Sequence, residues 1–248
     1  RVDKHLYARE AGLAAEALAI WAGISGDAEA AAMAHKAVNW AMANRRIGKS
    51  GGFRHDARDV AGPYLADNVA MARAQLALYK LEGRREWLQA AIATTDFINA
   101  QFRQRGGGFR SARPQGVIAP PLAVVEENIA LVRHANLLSH YAGLPRFRAM
   151  AEHGMRYLAT PSVSAGVITE AGILLAADEL ATDPLHLTIV SAKRDAAGEA
   201  LWRTALRQPG GYQRVEYWDK SQGPLLDAKV SYPALAKSAA FVCTANRC

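Results

Sequence analysis

The sequence predicts a mainly α chain, in which helical hairpins repeat into an array or ring and a small α/β appendage follows. Three observations carry this expectation. Gly51-Gly52-Phe53-Arg54 returns as Gly107-Gly108-Phe109-Arg110, 56 positions later. An acid opens an apolar helical segment at four places: Glu10-Ala11-Gly12-Leu13, Asp67-Asn68-Val69-Ala70, Glu127-Asn128-Ile129-Ala130 and Glu170-Ala171-Gly172-Ile173. Alanine, the best helix former, fills runs such as residues 28–34 and lets helices approach closely. A unit of about 60 residues made of two helices buries its apolar face only against its neighbours, which is the logic of a solenoid or helical ring.

The elements follow in order from apolar spacing at i, i+3, i+4 and i+7. A first helix over residues 7–24 turns Leu13, Ala17, Leu18, Ile20 and Trp21 toward the core. Gly26-Asp27 reverses the chain into a second helix, 28–45, which carries Met33, Ala37, Val38 and Trp40. A long loop, 48–66, holds the first Gly-Gly-Phe motif. The second hairpin pairs 67–81 with 85–103 through Glu82-Gly83, and the third pairs 126–141 with 146–158 through Gly143-Leu144-Pro145. Trp21, Tyr79 and Tyr141 each stand shortly before the turn glycine. Short turns on one side and long loops on the other send all long loops to one rim, where a helical ring builds its binding face.

Beyond residue 182 the texture changes. Residues 185–190 read as a strand, 196–206 as a helix, and 212–217 and 239–243 as two more strands, with 219–236 as a loop punctuated by Pro224 and Pro233. The expected division is residues 1–182 for the hairpin repeats and 183–248 for the appendage.

At 248 residues and 50% hydrophobic, the chain can bury a full core. No apolar run reaches the roughly 18 residues of a membrane span, so a soluble chain is expected, and cytoplasm and periplasm both stay open. The chain begins with Arg1 and not Met, from which further upstream sequence is expected. A net charge of +7 raises nucleic acid as a partner, but the basic residues are scattered, with no dense Lys/Arg block and no zinc-finger spacing. That reading is therefore disfavoured. The two cysteines, Cys243 and Cys248, fit a local disulfide or two free thiols equally well.

Candidate chemistry concentrates at the starts of the inner helices. Glu10, Asp67, Glu127 and Glu170 occupy matching positions that a ring would converge on one end of its cavity, and converging carboxylates serve general acid/base chemistry on sugars. Phe53, Arg54, His55, Tyr64, Asn128, Phe109 and Arg110 are the expected substrate-binding residues around the same mouth. The competing structural reading is strong. An acid in any first helical turn gains about 0.3–1 kcal/mol from the helix dipole, and a Gly-Gly-Phe loop can simply plug a hairpin end. His55 with Asp56 and Asp59 lies on a loop, and no third ligand repeats the spacing, so no metal is expected, and no cofactor. There is neither a G-x-S-x-G elbow nor a phosphate loop.

Four stretches resemble one family. Asp3-Lys4-His5-Leu6 before Glu10-Ala11 is similar to its Asp-Lys-x-Leu-x-x-Trp-Asn-Gly stretch, with Arg9 and Glu10 in place of Trp-Asn. Gly51-Gly52-Phe53 with Leu65-Ala66-Asp67 is similar to its Gly-Gly-Phe and Leu-x-Asp-Tyr-Ala segments, with Asn68 in place of Tyr. Glu127-Asn128 stands where the family has an Asn entering an inner helix, and Ala240-Phe241-Val242-Cys243 with Cys248 is similar to its closing Ala-Tyr-Val-Cys-x4-Cys. The chain thus resembles the C-terminal part of the thioredoxin-domain-containing helical-toroid proteins, the spermatogenesis-associated thioredoxin-like proteins and their bacterial relatives. The resemblance implies part of an (α/α)6-like toroid, similar to six-hairpin glycosidases and N-acylglucosamine epimerases. It also implies an upstream thioredoxin-like domain as partner. The expected function is a carbohydrate-active toroid, isomerase or glycosidase in type, that uses the acids at the inner-helix starts. The alternative is a non-catalytic scaffold or binding domain for a thioredoxin-like domain or redox client.

Overall fold

A computed structural model describes residues 3–59, 62–113, 121–166, 170–191, 194–227, 232–233 and 235–243. Three hairpins come first: α1 (Ala8–Ser25) with α2 (Ala28–Asn44), α3 (Leu65–Glu82) with α4 (Arg85–Phe102), and α5 (Val125–Ala142) with α6 (Pro145–Leu158). A short α7 (Pro161–Ser164) leads to α8 (Ala171–Ala181). The appendage is β1 (Leu185–Ser191), α9 (Ala196–Leu206), β2 (Gln213–Asp219) and β3 (Ala239–Cys243). The hairpin helices and the appendage follow the order read from the sequence, and α9 and β3 have the expected bounds. α7 was not anticipated, since four residues carry no periodicity.

Each inner helix packs on the next: α1 on α3, α3 on α5, α5 on α8. α3 lies mid-array and is accordingly buried nearly all round, from Leu65 through Ala70, Met71 and Ala74 to Tyr79. One correction concerns α1. Leu13, Ile20 and Trp21 do not face the core; they are 43%, 51% and 55% exposed, and Met33 of α2 is 51% exposed. The buried face of α1 is instead Ala8, Gly12, Ala15, Ala19 and Ala22. The reason is steric: a Cβ on Gly12 would stand 2.7 Å from the Ala70 carbonyl carbon, so α1 reaches α3 only through its smallest residues. Side-chain size, and not hydropathy, decides which face closes the contact.

The inner helices end on Gly26, Gly83 and Gly143, each left-handed, with its N–H returned to the helix. The appendage seats on these short turns. Tyr141 Oη accepts the Val215 N–H at 2.7 Å, and Tyr79 Oη donates to Glu216 at 3.1 Å, so the tyrosines that precede Gly83 and Gly143 hold the sheet. The sheet order is β2-β1-β3, with β1 parallel to β2 (Leu185 opposite Gln213) and antiparallel to β3 (His186 opposite Cys243). α9 makes the crossover and packs Trp202 and Ala205 on Leu187, Ile189 and Val215. Cys243 is disulfide-bonded; Cys248 lies outside the described residues.

Candidate active site

The long loops gather at the rim where the inner helices begin, and each loop completes the helix before it. The His55 carbonyl accepts the Ala8 N–H that starts α1, at 3.1 Å, and the Ser111 carbonyl accepts the Leu65 N–H that starts α3, at 2.8 Å. Both residues stand two places after a Gly-Gly-Phe phenylalanine.

The phenylalanines themselves do not line the mouth. Phe53 and Phe109 are 1% and 0% exposed, wedged into the core of their hairpins. The asparagines hold them there. Asn68 Oδ1 accepts the Phe53 N–H at 2.8 Å, and its amide donates to the carbonyls of Phe53 (3.2 Å) and Tyr64 (2.7 Å). Asn128 makes the same three bonds, to Phe109 N–H (2.8 Å), Phe109 carbonyl (2.9 Å) and Val124 carbonyl (2.8 Å). With oxygen and amide both spent on backbone, neither asparagine has a free group to offer a ligand.

The acids beside them behave differently. Asp67 is 1% exposed, and its Oδ1 accepts both the Arg9 N–H at 2.8 Å and His55 Nδ1 at 3.0 Å. Among the described residues Oδ2 has no hydrogen-bond partner. Burial pushes the Asp67 carboxyl above the usual range, opposed by His55 and by the Arg9 N–H. Because a carboxylate only accepts, His55 donates from Nδ1, which leaves Nε2 as the free basic nitrogen. The imidazole is stacked on Tyr7 at 4.3 Å and meets Tyr64 edge-on at 5.8 Å.

Glu127 is the exception at this rim. It is half-buried, and its Oε2 is enclosed with no hydrogen-bond partner among the described residues. Burial, above all, raises its pKa to about 7; Arg9 opposes this, and the Asp67 and Glu126 charges add to it. Two carboxyls at one mouth are thus set apart: Asp67 is given donors, Glu127 is denied them.

The other expected positions fall outside this cluster. Glu10 is exposed in the first turn of α1, although its charge still adds to the rise at Asp67. Glu170 caps α8, accepting the Gly172 N–H at 2.8 Å. Arg54 is exposed and Arg110 half-buried, and the side chain of neither forms a hydrogen bond among the described residues. Tyr64 is half-buried against His55. Sequence reasoning overlooked Tyr7 and Arg9. A signal existed for Tyr7: it immediately precedes α1 as Tyr64 immediately precedes α3. Arg9 acts partly through its backbone N–H, which no residue type announces. Among the described residues no group of three or more His, Cys, Asp or Glu could hold a metal ion.

No family model matches the chain, and no curated protein is similar to it in sequence. Its fold is nevertheless found in solved structures. An inactive variant of the α-1,6-mannanase of Salegentibacter, in complex with α-1,6-mannotriose, superposes with a TM-score of 0.56 at 13% identity, over 64% of this chain and 48% of that one. Cellobiose 2-epimerase of Spirochaeta thermophila gives 0.53 at 18% identity, over 62% and 43%. A family 76 α-mannanase of Bacteroides thetaiotaomicron gives 0.58 at 10% identity, over 84% and 57%. These are (α/α)6 toroids, so the chain has the fold of part of such a toroid, with an α/β appendage. It spans about half the length of the proteins it resembles.

Proposed function

We propose that the rim is the catalytic centre of a carbohydrate-active enzyme, of the glycosidase or sugar isomerase type. Glu127 acts as the proton donor, and Asp67 with His55 forms the negatively charged, proton-accepting side. The single observation that carries this reading is the enclosed Oε2 of Glu127, unpartnered among the described residues and within electrostatic reach of an Asp67 that keeps one oxygen free. A carboxyl held neutral near pH 7 can give a proton to a departing sugar oxygen or to a carbonyl oxygen as it becomes an alcohol. His55 Nε2, oriented through Nδ1 by Asp67, is placed to take one. Tyr7 and Tyr64 supply ring surface for stacking on a sugar.

The solved toroids guide the choice of substrates. The full chain should be assayed on α-1,6-linked manno-oligosaccharides and for epimerisation of cellobiose. Glu127→Gln and Asp67→Asn should each remove activity while leaving the helical circular dichroism intact. Variants as active as the parent would end the proposal.

A second reading, a scaffold or binding domain for a thioredoxin-like domain or redox client, draws support from a different place. Phe53 and Phe109 plug the hairpin ends, and α1 presents Leu13, Ile20, Trp21 and Ile24 to solvent, an apolar stripe suited to a protein partner. The upstream thioredoxin-like domain is the partner this reading takes, and it rests on the family resemblance alone. Pull-down of a thioredoxin-like domain by the parent chain, lost in Trp21→Glu, would favour it over the enzyme.

A further inference from the structure

A second feature lies at the opposite end of the inner helices, far from the acid rim. Lys80 lies in the last turn of α3, 13 residues after Asp67, which places it about 20 Å further along the helix axis at 1.5 Å per residue. The repeat does not call for a cation there: the matching positions are Gly23 in α1 and His140 in α5. Two adjoining cavities of about 150 and 170 Å³ meet at Lys80, and both are also lined by Ile20, Ala77 and Gly211. Each could hold roughly five waters at about 30 Å³ apiece, or a small acidic group.

Charge is compensated around Lys80 but not at it. Arg73 pairs with Glu16 at 2.9 Å, and Arg133 with Glu179 at 2.7 Å through two of its nitrogens. Lys80 lines the same cavity as these pairs, yet among the described residues it forms no ion pair and no hydrogen bond. Glu16 acts on it only through space, and burial pushes its ammonium pKa down. Two acids against three cations leave one positive charge over. On the appendage side, Gly211 belongs to a Gly-Gly turn, its backbone N–H has no acceptor among the described residues, and a Cβ there would meet nothing within 4 Å. A half-buried ammonium without a charge partner among the described residues, beside open volume and the exposed Gly211 N–H, is matched by an anion.

We propose that this cleft is a binding site for a small anion, a carboxylate or a phosphate monoester, with Lys80 as its direct partner. The site is separate from the acid rim and stands whether or not the rim is catalytic.

The test is calorimetric titration of the full chain, at constant ionic strength, with glucose 6-phosphate, glucuronate and inorganic phosphate, with glucose as the neutral control. The expected result is saturable binding of at least one charged probe and none of glucose. Lys80→Met should weaken that binding by about tenfold or more, the equivalent of one charge-assisted hydrogen bond, and Lys80→Arg should largely keep it. Preference for the phosphates or for glucuronate then assigns the anion. Should Lys80→Met fail to fold, the ¹³C-methylated Lys80 resonance of the parent chain reads the same contact, moving as the anion is added. Absence of binding by every charged probe, undiminished binding by a folded Lys80→Met, or an unmoved Lys80 resonance would overturn the proposal.

Discussion

The two copies of the Gly-Gly-Phe and acid-Asn motif agree at one residue and diverge at its neighbour. Asn68 and Asn128 make the same three backbone hydrogen bonds, to the plugging phenylalanine and to the residue before the inner helix. Asp67 and Glu127, each one residue earlier, do not match: Asp67 receives two donors, and Glu127 has an enclosed oxygen with none. A position that repeats its contacts builds the hairpin. A position that repeats only its residue class is free to take on chemistry. The asparagine is thus architectural in both copies, and the acids are where the copies part.

The largest effects should fall on the shared half of this comparison. Asn68→Ala and Asn128→Ala each strand buried phenylalanine and helix-start backbone groups, and each should cost about 3 kcal/mol or more of unfolding free energy by denaturant titration. Near-equal losses would support the architectural reading, whereas a large gap between them would break it. Phe109→Ala, which opens a cavity at a fully buried site, belongs to the same range at about 3–5 kcal/mol.

The acids should separate. Asp67→Asn keeps an Oδ1 acceptor for the Arg9 N–H and His55 Nδ1 while removing a buried charge that folding already disfavours, and should change stability by less than about 1 kcal/mol at pH 7. For Glu127 the burial cost is larger, because no donor among the described residues offsets it. Its folded pKa of about 7 lies above the ordinary 4.5, so the folded chain holds the proton more tightly than the unfolded one. This carboxyl costs nothing below the unfolded value and destabilises progressively as pH rises from about 4.5 to 7. Glu127→Gln should therefore be neutral in melting temperature at pH 4 and stabilising at pH 8. A variant less stable than the parent at pH 8 would refute the assignment.

The smallest and most diagnostic effect is the coupling between the two carboxyls. Because the Asp67 charge raises the Glu127 pKa, a ¹³C titration of Glu127 should show a lower midpoint in Asp67→Asn than in the parent. No movement would mean that the two carboxyls do not share one site. If the rim is catalytic, activity should fall above pH 7 as Glu127 loses its proton, and at low pH as Asp67 gains one.

The hairpins were legible because periodicity and turn glycines are local signals. The helices of all three pairs and the strand-helix-strand-strand appendage stand where apolar spacing and texture put them. The acid rim was half legible: Asp67, Glu127, His55 and Tyr64 stood out as helix-start and loop residues. Nothing in sequence separated Asp67 from Glu10, because the difference lies in what covers each: α1 and His55 enclose the one, and solvent meets the other.

What the sequence determined by itself is the repeat, its polarity and the rim to which its loops go, since these follow from spacing along one chain. What only the tertiary structure decided is which face of α1 closes on α3, that Lys80 has no ion-pair partner among the described residues, and which of the four helix-start acids is buried. Each depends on neighbours distant in sequence, such as Gly12 against Ala70 and His55 on Asp67, and burial of a charge is a property of those neighbours and not of the residue.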